Sequence, residues 1–377
     1  MVKEKFDCIF CGLPLTDDNY SDEHVIPNAI GGHLVTRNAT CSNCNSKSGY
    51  TIDNCLVNNF SLLANALDVP RDRGQHPDAY IYDEKTDRKL ILSPGKNVAL
   101  APNIRVDKEE GRISFNYYAP TRKEAEKYLK KNMPKDFKGA VDLVGKKIEG
   151  ERYSFSLLNV TYNNEEFLKG IVKIALCYTR HLGLPINVSS IARSFLRGEG
   201  TKLIPVGTVR SNVINLRDPS PYPLYHGIFL FKYPEKSKLI VYIMLFQAFE
   251  FIVLVDEDCE IDDVCKGYLW NIVSACSESH KVDLVADLDE ITTWFGEQEI
   301  RSEHFSKKAA SLVFWLNHRD DLWINRAISI ATRHFIKRID MGIERKVAEE
   351  EAKKLAQKAI LNYGLSIQEL NISQKSR

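Results

Sequence analysis

Two cysteine pairs near the start of the chain, Cys8-x2-Cys11 and Cys41-x2-Cys44, constrain its fold more than any other feature of the 377 residues. Thiolate sulfurs at this spacing reach one ion from a tight turn or a helix start, so the four read as a closed tetrahedral zinc site. Gly12 and Pro14 supply turn residues after the first pair, and Asn43 and Asn45 flank the last cysteine. A site closed by four sulfurs has no open coordination position, and its role is structural. Between the pairs stand Glu23-His24-Val25-Ile26-Pro27 and the doublet Gly31-Gly32.

The other five cysteines, Cys55, Cys177, Cys259, Cys265 and Cys276, are scattered without a disulfide framework. A reducing compartment, the cytoplasm, is therefore expected. Met1 to Asp7 carries charges and no apolar run, unlike a signal peptide or an anchor. Leu239 to Val255 approaches the length of a membrane span, but Gln247 and Glu250 near its middle would be costly in lipid. The stretch reads as two buried strands, and no membrane partner is expected.

With 44% hydrophobic and 27% charged residues, the chain can bury the cores of two or three domains. The polar, breaker-containing stretch Arg71 to Pro77 marks a boundary, which divides the chain into residues 1–70, 71–305 and 306–377. A helix is expected from Ser42 or Asn43 through Asn54, with Leu56 to Ala66 continuing it or forming a second. Gly111 to Tyr118 and Arg152 to Tyr162 read as strands, and Pro120-Thr121 opens a helix to about Asn132. Glu165 to Leu182 is a helix with one apolar face, including Phe167, Ile171, Ile174 and Tyr178, and Gly183 is its stop. Gly227 to Phe231, Lys238 to Leu245 and Phe249 to Val255 form an antiparallel meander, and Ser306 to Tyr363 is helical.

The net charge of +1 does not by itself point to a polyanion. Residues 1–60 hold four basic against seven acidic residues, so this part would need help to hold one. Thr121 to Glu149 and Arg326 to Lys358 each carry nine Lys or Arg against five acids. Each tract reads equally as a solvated helix face or as a surface for phosphate.

Taken together, Cys8-Ile9-Phe10-Cys11, Glu23-His24-Val25-Ile26-Pro27, Gly31-Gly32, Cys41-Ser42-Asn43-Cys44-Asn45, Gly49 and Asp53 resemble the zinc-stabilised, four-cysteine branch of the HNH endonucleases. The resemblance covers roughly the first sixty residues. It implies an α+β fold: an N-terminal ββα-metal HNH module with structural zinc at Cys8, Cys11, Cys41 and Cys44. A larger mixed α+β region with the meander and the C-terminal helices would follow it.

The resemblance also implies roles at the site. His24 matches the general base, Glu23 an acidic ligand and Asn45 a helix-borne ligand of a catalytic divalent cation, Mg2+ or Mn2+. Asn38 lies where a supporting asparagine braces the hairpin. The residue types suit the chemistry: a histidine of ordinary pKa, about 6.5, can take a proton from water near neutral pH. A hard dication on oxygen ligands keeps positions open for a phosphate oxygen and the leaving 3′ oxygen. The implied activity is metal-dependent hydrolysis of phosphodiester bonds, in DNA by preference over RNA, in a setting such as bacterial anti-phage defence or restriction. One such site cuts one strand, so a double-strand break calls for two copies, and a homodimer through the C-terminal helices would supply them.

Position 23 is Glu where Asp is frequent, and Ser48 stands where some members carry a second helix histidine. Adjacent strand residues face opposite ways, so Glu23 and His24 converge only on an irregular backbone or at a strand edge. His33, after the double glycine, reads as exposed polar surface in preference to a phosphate contact. Two alternatives stay open: a zinc module that grips nucleic acid without cutting it, and an RNA-directed nuclease.

Overall fold

Tight backbone approach shapes the turn between the first two strands. In the computed structural model, β1 (Glu23–His24) and β2 (Val35–Thr36) form an antiparallel hairpin that pairs Glu23 with Thr36 and His24 with Val35. A Cβ on Gly32 would lie 1.8 Å from the Ile26 carbonyl oxygen, and Gly31 sits at a left-handed φ of 94°. Only glycine satisfies both positions. The structure describes residues 6–362 except 73, 84–87, 95–97, 102, 108–111, 117–125, 128–129, 132–163, 202, 218–219, 233–236, 298 and 300–301.

The hairpin leads into α1 (Ser42–Ser48), a π-helical turn over Gly49–Asp53, and α2 (Asn54–Ala66). The helix expected to about Asn54 thus continues to Ala66, with its turn widened in the middle. Beyond it come a three-stranded antiparallel sheet, β3 (Ala79–Asp83), β4 (Arg88–Leu92) and β5 (Ala99–Leu100), and the hairpin of β6 (Asn103–Asp107) and β7 (Arg112–Asn116). The strand Arg152 to Tyr162 lies outside the described residues, as do most of the helix from Pro120 and of the basic tract from Thr121 to Glu149.

The next helix, α3 (Glu165–His181), is capped by Asn164, whose side chain accepts the Glu166 N–H at 2.8 Å, and Gly183 ends it at φ 77°. One apolar face was expected here. The structure buries α3 on all sides, because it is clamped between the N-terminal module and a large sheet. Gly170 allows close approach on the module side, where an added Cβ would stand 3.2 Å from the Leu56 Cβ. The Phe167 ring meets Phe60 of the module at 6.1 Å and Phe251 of the sheet at 5.7 Å. The short α4 (Ile191–Leu196) follows, capped by Ser190.

The large sheet contains β8 (Val206–Thr208), β10 (Tyr225–Lys232), β11 (Leu239–Leu245), β12 (Phe249–Asp256), β13 (Val264–Asn271) and β14 (Cys276–Glu278). All pairs are antiparallel, in the order β14-β13-β10-β11-β12-β8, while β9 (Ile214–Leu216) pairs with β15 (Val282–Leu284) apart from it. The expected meander is β10 to β12. Its strands read as continuous apolar runs because alternate side chains feed two cores. Leu239, Val241, Ile243 and Leu245 join the core around α3, whereas Ile240, Tyr242 and Met244 join a second core with Trp294 and Val213. Glu250, the charged residue of this run, is buried but paired: His304 Nε2 lies 2.5 Å and Lys308 Nζ 3.1 Å from its carboxylate.

Four helices follow among the described residues: α5 (Leu288–Thr292), α6 (Ser302–Asn317), α7 (Arg319–Asp340) and α8 (Arg345–Asn362). Arg326 of α7 is buried and donates to the carbonyls of Asp68 and Ile272, and Arg333 donates to those of Ser274 and Ala275. These two basic residues hold the fold together, while Lys353, Lys354 and Lys358 of the same tract remain exposed. Among the described residues no helix is long and apolar enough to cross a membrane.

His226 of β10 ties the sheet to the module. Its Nε2–H donates to the Ile30 carbonyl at 2.8 Å and its Nδ1 accepts the Phe246 N–H at 3.3 Å. Complete burial drives its pKa down from 6.5 to about 4. The unfolded chain therefore takes up this proton first, so the stabilising effect is complete above pH 6.5 and is lost as pH falls towards 4. The full loss is about 3 kcal/mol. We expect urea denaturation to show the stability gap between wild type and His226→Gln narrowing by that order between pH 7 and pH 4; a constant gap would contradict the buried neutral imidazole.

Candidate active site and metal centre

The two cysteine pairs converge. The sulfurs of Cys8, Cys11, Cys41 and Cys44 all lie within 4.8 Å of one another, and Cys11 and Cys41 are 3.9 Å apart. A zinc–sulfur bond of about 2.3 Å in a tetrahedron sets neighbouring sulfurs about 3.8 Å apart, so the donor set fits such an ion. The first pair sits on a tight knuckle in which Gly12, at φ 75°, returns its N–H to the Cys8 carbonyl. The second opens α1, and the Cys41 N–H donates to Cys8 Sγ at 3.5 Å. Burial and the neighbouring sulfurs push the Cys44 thiol far above its ordinary pKa. Held as thiolates, four sulfurs packed this closely would need a cation between them.

Arginines from elsewhere brace the knuckle. Arg193 donates to the carbonyls of Cys8 and Ile9, Arg197 donates to that of Phe10, and Arg180 and Arg193 both pair with Asp7. These are charge-assisted bonds in a buried setting, where an unpaired partner would be costly.

His24 and Glu23 diverge, as alternation along a strand requires. His24 points outward, its side chain 30% exposed, and its Nε2–H donates to Asp72 Oδ2 at 2.7 Å. The other Asp72 oxygen accepts from His33 Nδ1 at 2.9 Å, and the His33 ring stacks on Trp270 of β13 at 4.1 Å. His33 is thus held on both sides and is not the free hairpin tip expected. Asn28 fixes the cluster further: its side-chain oxygen accepts the Asp72 N–H at 3.0 Å, and its amide donates to the Gly32 carbonyl at 2.9 Å. Burial alone would raise the Asp72 carboxyl, but the hydrogen bond from His24 and the charges of both imidazoles hold it below its ordinary value.

Glu23 points inward and is only 5% exposed. Its Oε1 lies 3.0 Å from Lys173 Nζ of α3, and its Oε2 accepts from Thr40 at 3.3 Å. Asp53, at the end of the π-helical turn, binds the same ammonium at 2.6 Å. Burial alone would lower the Lys173 pKa, but Glu23 and Asp53 outweigh it and keep the amine charged. Burial pushes the Glu23 carboxyl up against the pull of Lys173.

Asn45 donates its amide to Ser21 Oγ, and Asn38 donates to the Arg180 carbonyl at 3.5 Å, which ties the base of the hairpin to α3. Glu23, His24 and Asn45 therefore have separate partners. Among the described residues the four cysteines are the one group of three or more His, Cys, Asp or Glu whose donor atoms lie close enough to share an ion. While Lys173 neutralises Glu23, the expected divalent cation does not fit at that carboxylate.

A hairpin with an outward histidine, joined to a helix whose first turn closes a four-cysteine cluster, makes a ββα module with a donor set suited to zinc. Residues 8–61 match the model of an HNH endonuclease family. No curated protein and no solved structure matches the chain.

Sequence reasoning missed Asp72, Lys173 and Trp270. Asp72 stands in the breaker-rich stretch read as a boundary, and Lys173 stands on a helix read as amphipathic. No local pattern marks either. A pointer to Lys173 did exist in the acidity of residues 1–60, because Asp7, Glu23 and Asp53 of that excess find their cations on α3 and α4.

Proposed function

We propose that this protein is an endonuclease that hydrolyses phosphodiester bonds in nucleic acid, in DNA by preference, with His24 as general base. The observation that carries the reading is the anchored, solvent-facing imidazole of His24 on a module that matches the HNH family. With Nε2 donating to Asp72, Nδ1 is left as the proton acceptor. In this reading a water beside Nδ1 loses its proton to His24 as it attacks phosphorus, and the bond from phosphorus to the 3′ oxygen breaks, the leaving oxygen taking a proton from solvent. Asp72 holds the ring in the right tautomer and stabilises the imidazolium that forms, as the carboxylate partner of a catalytic histidine does. His33, pinned by Trp270, keeps Asp72 in position from the other side. The cysteine cluster would hold zinc, whose contribution is to the fold.

The reducing cytoplasm suits four cysteines that must stay thiolates. A homodimer would provide the second cut of a double-strand break, and the exposed lysines of α8 offer phosphate contacts. An effector in bacterial anti-phage defence or restriction is a setting that agrees with such an activity.

The test is incubation of the full chain with supercoiled plasmid and with single-stranded RNA, with Mg2+, Mn2+ or EDTA, beside His24→Ala. Nicking of plasmid that is lost in the variant supports the proposal, and cutting of RNA alone moves the substrate to RNA. The buried Glu23–Lys173 pair favours a second reading, a zinc module that binds nucleic acid without cutting it. Retention of both nucleic acids without cleavage of either would decide for that reading.

Asp72→Asn supplies a finer check. We expect kcat to fall by about tenfold or more with KM unchanged, and Asp72→Glu to recover part of the loss. An unaltered kcat in Asp72→Asn removes Asp72 from the mechanism.

A further inference from the structure

The two acids on the inner side of the HNH module come from different elements: Glu23 from β1 and Asp53 from the turn between α1 and α2. A buried ammonium joins them. Lys173 Nζ lies 3.0 Å from Glu23 and 2.6 Å from Asp53, and its side chain is 3% exposed. It comes from a helix 120 residues beyond Asp53, outside the segment that matches the family. Leu56 and Gly170 bring the helices together beside it. The widened turn that ends at Asp53 breaks the regular helix where this residue meets the ammonium, and such insertions often accompany functional positions.

One positive charge between hairpin and helix satisfies the carboxylates from both sides. A divalent ion at Glu23 would have to share that carboxylate with the ammonium, and the two cations would repel at close range in a site largely shielded from water. We infer that Lys173 is the resident cation of the HNH module. It clamps Glu23 and Asp53, and a divalent ion gains Glu23 only when Lys173 is removed or withdrawn. Lys173 is then a positioning residue that joins hairpin, helix and α3 into one unit. Its bearing on catalysis rests on the nuclease reading above, but the binding test does not.

The experiment is titration of the zinc-loaded full chain with Mn2+, followed by the EPR signal of the free ion and without nucleic acid. Wild type and Glu23→Gln are expected to give identical isotherms. Lys173→Met is expected to bind Mn2+ about tenfold or more tightly, because two carboxylates without a counter-charge form a harder, more anionic site. Adding Glu23→Gln to Lys173→Met should abolish the gain. A Mn2+ site in wild type that disappears in Glu23→Gln overturns the inference, as does a folded Lys173→Met that binds no more Mn2+ than wild type. Should Lys173→Met not fold, the comparison of wild type with Glu23→Gln still decides it: coincident curves support the resident lysine and a Glu23-dependent site refutes it. Plasmid cleavage plays no part in this readout, so failure of the nuclease proposal would show separately.

Discussion

Cys41→Ala is expected to release the metal and unfold the N-terminal module. Cys41 stands directly before α1 and its sulfur faces that of Cys11, so its loss removes one of the four donors at the point where the helix begins. Structural zinc in small modules contributes on the order of 10–16 kcal/mol of folding free energy, which exceeds the whole stability of many domains. The damage should spread here, because Ile9, Leu56 and Phe60 of the module share one core with Phe167 and Ile171 of α3 and Phe249 of the sheet. The expected result is loss of one zinc per chain, rapid proteolysis within residues 6–66 and a lower Tm for the remainder. Chelation of the wild-type protein should reproduce it. Full zinc content with an unchanged Tm in Cys41→Ala would show that the four cysteines form no metal centre.

His24→Ala is expected to have the second large effect, on rate and not on fold. A positioned general base contributes roughly 10²–10⁴-fold, so cleavage should fall by about that factor. The side chain is partly exposed, and its polar contact is with the half-exposed Asp72, so truncation leaves no cavity and no buried group without a partner. Zinc content, Tm and nucleic-acid affinity should stay near wild type. Undiminished cleavage by a folded, zinc-loaded His24→Ala would end the assignment of His24 as base.

Much of this architecture was legible from local chemistry. The cysteine spacing announced a cluster, and the double glycine announced a close turn that no side chain fits. Glu165 to Leu182 showed helical periodicity with a glycine stop, and α3 ends within a residue of that expectation. The meander was visible in the same way, since the Gln247-Ala248 break falls at the turn between β11 and β12. Burial of α3 on both faces was not visible. Lys173 and Arg180 look like a solvated stripe until acids from the module meet them. The strict face-to-face alternation at Glu23 and His24 was foreseeable, but not what each would meet.

The sequence by itself determined the features set by neighbours a few residues apart: the cysteine knuckle, the glycine turn, the end of α3 and the opposite facing of Glu23 and His24. Short-range sterics and hydrogen bonding decide these wherever the segment lies. Only the tertiary structure decided that His24 leans on Asp72, that Trp270 pins His33, and that a lysine from α3 answers Glu23 and Asp53. Those partners lie dozens to more than a hundred residues apart. Their pairing comes from the shared apolar core, which carries α3 against the module and leaves each buried charge to find its opposite there.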